Sequence, residues 1–297
     1  MRLTHRLSHA LLGFAVAAGA ATAGAGAAQA ADSAPAAAVQ QHKPAVKAPA
    51  VLGEAAYLVD ADTGQVHLSK EADLRRPVAS LTKAMTAYTV LKQAKPTDKL
   101  TISDEDVRYA AQGGAAVAHL RAGDTLTVED VLHALMLPSG ADAAHALART
   151  YGPGVPAFVA KMNATAAELG MTGTQYVNAD GMPYGGGGHS TARDQATLAK
   201  AVLDNEALKE ITSTRFYTLK ATPEHGPYSW KNTNRLLANP GAVGVKTGFT
   251  RAAGYTLSFA GERDGNRVIG VILGETDSGR RFQTAQALLD WATARTR

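Results

Sequence analysis

The sequence of 297 residues contains no cysteine, only 6% aromatic residues and no strong excess of charge of either sign. Without cysteine the chain forms no disulfide and offers no thiolate to a metal ion, so an ordinary hydrophobic core must stabilise it. The formal net charge of +4 at pH 7 is too small to indicate a nucleic-acid partner. These absences are typical of a globular protein without covalent cross-links.

Long apolar runs are also scarce, and the strongest one occupies residues 10–23. It is short for a membrane span of about 20 residues, and two glycines interrupt it. Arg2 and Arg6 before this run, and the small-x-small pattern of residues 28–30 after it, are typical of a cleavable secretory signal. We therefore expect a signal peptide over residues 1–30, an exported mature chain, and no transmembrane segment after cleavage.

Composition divides the rest of the chain into two parts. Residues 31–52 are rich in Ala, Pro and Gln and lack periodicity, which predicts a flexible linker. Residues 53–297 have the length and apolar content of one large domain. Within that domain, the region of about 100–205 has mostly helical patterns, which predicts an inserted helical lobe.

Strand-like segments lie on both sides of this predicted lobe. A hairpin pattern occupies residues 55–68, and three apolar or alternating segments follow one another over residues 241–274. An amphipathic helix is predicted over residues 282–294. The expected fold class is α+β, with an antiparallel sheet flanked by N- and C-terminal helices and an inserted, mostly helical lobe.

The first motif with chemical content starts at Ser80 and ends at Lys83, at the beginning of a helical pattern. The two residues are three positions apart, so a helix places them on one face within reach of each other. A serine at a helix start is often only a cap, and a lysine is often only a solvated surface residue. However, a cation in the first turn faces the positive end of the helix dipole. That placement favours a lysine whose pKa is lowered so that it can act as the base for a Ser80 nucleophile.

A second motif, Ser139-Gly140-Ala141, lies between two helical segments. Ser139 could cap the second of these helices. Alternatively, its hydroxyl could lie beside Ser80 and Lys83 and relay a proton toward the leaving amine. The local sequence supports both interpretations equally, and only the accompanying motifs favour the catalytic one.

The third motif, Lys246-Thr247-Gly248, lies on a strand-like segment. A lysine there could simply protect a sheet edge from pairing. Alternatively, Lys246 and Thr247 bind a substrate carboxylate, and Gly248 lets the substrate backbone lie close. The backbone N–H groups of Ser80 and Phe249 would then form an oxyanion hole. Together the three motifs predict acyl transfer to a serine from a peptide or lactam carbonyl.

Residues 77–88, which contain the first motif, resemble the active-site segment of low-molecular-mass penicillin-binding proteins, specifically serine D-alanyl-D-alanine carboxypeptidases. Residues 189–194, 232–234 and 244–248 continue the resemblance in the expected order. The resemblance extends over nearly the whole of residues 53–297 and identifies them as a DD-peptidase catalytic domain. It implies a fold similar to DD-peptidases and β-lactamases, with a cleft between the sheet and the helical lobe.

The same resemblance implies a reaction and its partners. Ser80 would be acylated by a peptidoglycan stem peptide ending in D-Ala-D-Ala, with release of the last D-Ala. β-Lactam antibiotics would acylate the same serine. The resemblance implies no metal and no organic cofactor, and it places the exported protein in association with the cell wall.

Two features depart from the family pattern. Ala141 stands where family members usually carry asparagine, and its side chain offers no hydrogen bond to Lys83 or to a substrate amide. This departure leaves two alternatives open, a DD-transpeptidase that uses an amine acceptor and a weakly active penicillin-binding wall protein. The sequence also ends at Arg297, just after the predicted helix, so we expect a freely soluble enzyme or one held elsewhere in the wall.

The sequence gives little support to three other classes of protein. A class A β-lactamase needs a glutamate for deacylation, and no glutamate between Ser139 and Lys246 has a Glu-x-x-x-Asn context, so we expect penicillin to label Ser80 stably. A non-catalytic scaffold is supported only by the missing asparagine. His133 and His145 lack the spacing of a metal site, and we interpret them as packing or surface residues.

Overall fold

Most of the apolar patterns in the sequence correspond to an element of the type that their period indicates. The computed structural model describes residues 47–263 and 265–295. The predicted signal peptide and most of the predicted linker lie outside the described residues. The described strands are β1 (Ala55–Asp60), β2 (Val66–Lys70), β3 (Lys99–Thr101), β4 (Thr125–Thr127), β5 (Phe216–Leu219), β6 (Tyr228–Lys231), β7 (Ala242–Thr250), β8 (Gly254–Arg263) and β9 (Asn266–Glu275). The described helices are α1 (Thr82–Leu91), α2 (Asp104–Ala110), α3 (Val128–Met136), α4 (Ala141–Tyr151), α5 (Val155–Glu168), α6 (Ala192–Asp204), α7 (Glu206–Ser213) and α8 (Arg280–Arg295).

Five strands form one antiparallel sheet in the order β2-β1-β9-β8-β7. Successive side chains of a strand point to opposite faces, so each inner strand contributes to two cores. In β1, Ala55 and Tyr57 belong to one buried cluster, whereas Ala56 and Leu58 belong to the other. The predicted α+β class with an antiparallel sheet is confirmed.

Helix α8 covers one face of this sheet. Its apolar residues Phe282, Leu288 and Leu289 share a buried cluster with Phe259 of β8, as the predicted amphipathic stripe requires. Helix α6 contacts β1 and β9, and α7 contacts β7. Two flanking helices were predicted, one N-terminal and one C-terminal. Among the described residues, α8 is the C-terminal one, whereas residues 47–54 form no helix.

The helical lobe predicted over about 100–205 contains α2 to α5 together with a short β3–β4 ladder, whereas α6, which falls at the end of that range, packs against the sheet. Helix α1 packs against α3, α4 and α5. Thr127 is the N-cap of α3. Its side chain accepts a hydrogen bond from Asp130 N, while the Asp130 carboxylate accepts one from Thr127 N. This reciprocal cap fixes where α3 starts. The turn between α3 and α4, residues 137–140, is joined to the sheet side of the molecule because Thr233 N donates to Leu137 O at 3.0 Å.

The described end of the predicted linker is packed on the domain. Ala48 and Val51 contact the cluster beneath α8. Lys70 Nζ of β2 donates to Val51 O at 2.8 Å and to Gly53 O at 2.6 Å. Across the described ranges, no helix combines the length and the apolar character that crossing a bilayer requires.

Candidate active site

Ser80 lies in a short 3-10 turn, Ala79–Leu81, immediately before α1. No side chain caps this turn or α1, so the cap interpretation of Ser80 does not hold. Instead, Lys83 Nζ donates to Ser80 Oγ at 3.0 Å. The preceding residue, Ala79, has a left-handed φ of 52° although it is not glycine. Such strain is tolerated where the surrounding structure fixes the backbone, and it is common at active sites.

Lys83 is almost completely buried, with 1% of its surface exposed. Its ammonium also donates to the backbone oxygen of Asp180 at 2.8 Å. Burial lowers the pKa of Lys83 from 10.5 to about 8, although the nearby carboxylates of Asp180 and Asp142 partly oppose this decrease. With a pKa of about 8, a fraction of Lys83 is neutral at pH 7 and most of it is neutral only above about pH 8, so it can act as a general base in this range.

Ser139 lies in the turn between α3 and α4 with a left-handed φ of 70°. Gly140 is the N-cap of α4 and no side chain caps that helix, so Ser139 is not the cap. Its Oγ is buried, and no described residue pairs with it. A buried hydroxyl without a partner destabilises the folded protein unless it has another use, so this orphan atom points to a functional role.

Lys246 lies on the edge strand β7, but only 1% of its surface is exposed, so it is not a solvated residue guarding the sheet edge. Its Nζ donates to Thr247 O at 3.2 Å. Burial, followed by the charges of Lys83 and Arg281, lowers the pKa of Lys246 well below its ordinary value. Thr247 Oγ1 is hydrogen-bonded to Thr233 Oγ1 at 2.7 Å, which joins β7 to the loop that contacts the lobe.

The packing of the protein itself requires a glycine at position 248. A Cβ atom at this position would lie 2.4 Å from Thr256 Oγ1 and 3.0 Å from both Ser80 N and Val78 O. Because only glycine lacks this atom, β7 can lie directly against the turn that carries Ser80. This steric requirement is separate from the role predicted from the sequence, in which Gly248 lets a substrate backbone lie close, and that role stays a prediction.

These elements enclose a cleft of about 670 Å³. Phe249 stands at its wall with 51% of its surface exposed, stacked on Tyr255 at 4.3 Å between ring centroids. Of the predicted site residues, five line the cleft, whereas Lys83 and Lys246 are buried behind the lining. The lining consists of Ser80, Gly113, Gly114, Ala116, Pro138, Ser139, Met182, Pro183, Thr233, Thr247, Gly248, Phe249, Thr250, Arg251, Ala252 and Arg281.

Arg281 was not predicted from the sequence, although it is one of the two cations that line the cleft. Its Nη1 donates to Gly248 O at 2.8 Å and to Thr256 O at 3.0 Å. Burial and the neighbouring Arg235 lower its pKa to about 10, so the guanidinium stays charged at neutral pH. A signal for it was present, because an arginine in the first turn of α8 faces the positive end of a helix dipole, as Lys83 does in α1.

Asp142 and Thr233 were also missed. Asp142, which follows the second motif, accepts hydrogen bonds from Ala118 N and Leu120 N at 3.0 Å each and so holds the loop beside the cleft. The amide of Asn234 donates to Gly244 O at 3.1 Å and connects the loop to the start of β7. No local sequence pattern predicts these contacts, because each contact joins residues that are distant in the chain.

The two histidines near the second motif are packing residues. His133 stacks on Tyr217 at 3.8 Å, and its Nδ1 lies 2.9 Å from Glu129 O. His145 stacks on Tyr109 at 4.5 Å. Over residues 47–263 and 265–295, the His and acidic side chains form no group of three that could hold a metal ion.

Comparison with known proteins shows the family of this chain. Residues 41–277 match the D-alanyl-D-alanine carboxypeptidase family, peptidase S11. The chain belongs to this family. As a member of the D-alanyl-D-alanine carboxypeptidase family it is a serine hydrolase, which confirms the enzyme class predicted from the three motifs.

Several family members are similar over most of this chain. The D-alanyl-D-alanine carboxypeptidase of Streptomyces sp. (strain K15) is 37% identical over 84% of this chain and 90% of its own length. The crystal structure of the Streptomyces K15 DD-transpeptidase has a TM-score of 0.79 and covers 84% of this chain and 100% of that one. A D-alanyl-D-alanine carboxypeptidase from Mycobacterium tuberculosis H37Rv has a TM-score of 0.78 at 31% identity, covering 85% and 95%. DacF of Bacillus subtilis is 33% identical over 80% of this chain but only 61% of its own length.

Proposed function

We propose that this protein is an exported carboxypeptidase that removes the terminal D-Ala from peptidoglycan stem peptides through an acyl-enzyme on Ser80. The observation that carries the proposal is the 3.0 Å contact between Lys83 Nζ and Ser80 Oγ, made by a lysine that is almost completely buried. A serine without a histidine partner needs such a base, and a desolvated lysine supplies it.

The acylation step follows from these positions. Neutral Lys83 accepts the hydroxyl proton of Ser80, and Oγ attacks the carbonyl carbon of the penultimate D-Ala. The N–H groups of Ser80 and Phe249 stabilise the developing oxyanion. When the C–N bond breaks, the Ser139 hydroxyl donates a proton to the leaving D-Ala nitrogen and regains one from Lys83. In the structure Ser139 Oγ is hydrogen-bonded to neither Ser80 nor Lys83 among the described residues, so this relay requires that substrate binding brings the hydroxyl within hydrogen-bond distance of Lys83.

The terminal carboxylate is assigned to Thr247 and Arg281, which line the cleft. Lys246 is buried, and its ammonium already donates to Thr247 O. We therefore assign to Lys246 a supporting role, in which it orients the Thr247 backbone rather than contacting the carboxylate. A guanidinium binds carboxylates well because its planar donors match their two oxygens.

Release of the acyl group requires water and a base, and Lys83 is the base available for it. No aspartate or glutamate is found among the described residues that line the cleft. This absence favours a long-lived penicillin adduct over the rapid turnover of a β-lactamase. Ala141 is buried at the first position of α4 and lends no side-chain hydrogen bond to the substrate. Loss of one such bond weakens a step by about 1–3 kcal/mol without changing its course.

The test is a labelling and release experiment on the purified mature protein. With benzylpenicillin, we expect intact-protein mass spectrometry to show one stable adduct, located on the peptide that contains Ser80. With diacetyl-L-Lys-D-Ala-D-Ala, we expect release of D-Ala. Ser80→Ala should lose both signals, whereas Ser69→Ala, at an exposed serine of β2, should keep both. Release of D-Ala by Ser80→Ala at the parent rate would refute the proposal.

Export is a separate part of the proposal, supported by the residues 1–30 pattern alone. Expression of the full chain in a secreting bacterium should place the protein outside the cytoplasm with an N-terminus at Ala31. N-terminal sequencing of the extracellular fraction checks this. Retention of the intact chain inside the cell would contradict the export proposal while leaving the catalytic one unaffected.

A further inference from the structure

Phe249 presents a large apolar surface inside the catalytic cleft. Among the described residues that line the cleft, no other side chain is aromatic, and 51% of the surface of Phe249 is exposed. Exposed apolar surface within a cleft is typical of a position that a ligand covers. The reaction proposed above uses only the backbone N–H of Phe249, so the ring has no part in it.

The alternation of β7 determines which end of the substrate this ring faces. Successive residues of a strand point to opposite sides, so Phe249 shares a side with Thr247, whereas Gly248 lies on the other. The Gly248 side faces the nucleophile, because a Cβ atom at Gly248 would lie 3.0 Å from Ser80 N. The Phe249 ring therefore lies on the side of the strand that carries a proposed ligand of the terminal carboxylate.

Two ring contacts connect Phe249 to Arg281, the other proposed ligand of that carboxylate. The rings of Phe249 and its cross-strand partner Tyr255 stack at 4.3 Å between centroids, with 28° between their planes. The guanidinium of Arg281 lies 5.1 Å from the centroid of the Tyr255 ring. Stacking and contact with a cation both stabilise the position of an aromatic ring. The Phe249 ring is therefore held beside the carboxylate ligands before a substrate binds.

The C-terminal residue of the substrate is the part that this ring can select. Its carboxylate is assigned to Thr247 and Arg281, and its side chain is attached to the carbon atom next to the carboxylate. The side chain therefore comes within reach of the Phe249 ring. The single methyl group of D-Ala covers little of a phenyl ring, whereas a longer aliphatic side chain covers more. Each additional buried CH₂ group strengthens binding by up to about fourfold.

We propose that the Phe249 ring determines specificity for the residue that leaves, and that it favours C-terminal D-residues with aliphatic side chains larger than that of D-Ala. The substrate class is then peptides that end in D-Ala followed by such a residue. This inference rests on the proposed function, because it concerns release of the last residue by Ser80. The peptide bond that breaks and the proton transfers are those given for D-Ala, so the side chain changes only the rate.

A competition experiment with the intact mature enzyme tests the proposal. Diacetyl-L-Lys-D-Ala-D-Ala and diacetyl-L-Lys-D-Ala-D-Leu are mixed at equal concentration, and mass spectrometry measures the initial rates at which D-Ala and D-Leu are released. The ratio of these rates equals the ratio of the two kcat/KM values, and both substrates form the same acyl-enzyme. We expect the ratio to favour D-Leu by about threefold to tenfold, as partial burial of the three additional carbon atoms requires.

Variants connect this preference to the ring. Phe249→Ala should bring the ratio close to one, and Phe249→Leu, which keeps an apolar side chain, should retain part of the preference. Both variants keep the backbone N–H, and a change in oxyanion stabilisation affects both substrates equally and cancels from the ratio. Phe216→Ala is the matched control and should keep the preference, because Phe216 is 59% exposed on β5 and lies outside the described cleft lining.

Three results would each overturn the inference. They are a ratio of one or less in the parent enzyme, a full preference for D-Leu that persists in Phe249→Ala, and loss of the preference in Phe216→Ala. Release of D-Ala and the penicillin adduct on Ser80 would remain in all three cases. Failure of the proposed function would instead abolish release of both amino acids, so the two failures are distinguishable.

Discussion

Arg281 Nη1 donates a 2.8 Å hydrogen bond to the backbone oxygen of Gly248, so a residue of the last helix holds the third residue of the Lys246-Thr247-Gly248 motif. The same nitrogen donates to Thr256 O on the neighbouring strand β8. Arg281 thus fixes the end of β7 that carries the proposed oxyanion donor, and it also places a charge in the cleft.

Replacing this arginine should therefore weaken recognition of the terminal carboxylate. We expect Arg281→Gln to lower kcat/KM for diacetyl-L-Lys-D-Ala-D-Ala about 10-fold to 100-fold, the effect of one lost hydrogen bond to a charged group. For a substrate with an amidated C-terminus, the same variant should lower kcat/KM much less. Arg251→Gln is the matched control, because Arg251 is the other cation of the described cleft lining and, among the described residues, makes no hydrogen bond to the backbone of the motif. Equal losses for both substrates would contradict a role in carboxylate recognition.

The pH dependence of acylation should report the titration of Lys83. Its ordinary pKa of 10.5 is lowered to about 8 in the folded protein, chiefly by burial. The neutral amine is the active base, so kcat/KM should rise with pH and reach a plateau above about pH 8. The rate of penicillin acylation, measured from pH 6 to 10 by quenched mass spectrometry, checks this. If the acylation rate still increased through pH 10, either Lys83 would not be the base or burial would not have lowered its pKa.

Asp180 should set the pH at which the rate of acylation rises, which is called the pH limb below. Its carboxylate raises the pKa of Lys83, against the effect of burial. Asp180→Asn keeps an oxygen that can accept from Met182 N, as Asp180 Oδ1 does at 3.0 Å, but removes the charge. We expect the limb to move to lower pH. Asp104→Asn, at an exposed residue of α2, is the control and should leave the limb in place. An unshifted limb in Asp180→Asn would exclude this electrostatic role.

Ser139→Ala should separate catalysis from stability. The hydroxyl that this change removes is buried and pairs with no described residue, so its loss costs the folded state no hydrogen bond. We expect an unchanged or slightly higher Tm, together with a fall of about 100-fold in acylation because the proton relay is gone. Calorimetry and penicillin labelling measure the two effects. A clear drop in Tm with undiminished acylation would assign Ser139 a structural role instead.

The sequence alone determined the features that depend on neighbours along the chain. Ser80 and Lys83 meet because three residues span nearly one helical turn, and the alternation over residues 241–274 produced β7, β8 and β9. Such periods are local, so they can be read without knowing what covers each element. Even Arg281 carried a local signal, its position in the first turn of α8.

Only the tertiary structure decided how the three motifs meet. The burial of Lys246, the unpaired Ser139 hydroxyl, the contact between Thr233 and Thr247, and the closeness of Gly248 to Ser80 all join segments far apart in sequence. The pKa of a lysine and the partners of a hydroxyl depend on which atoms exclude water around them. Those atoms come from other elements, so packing rather than spacing determined the chemistry of the cleft.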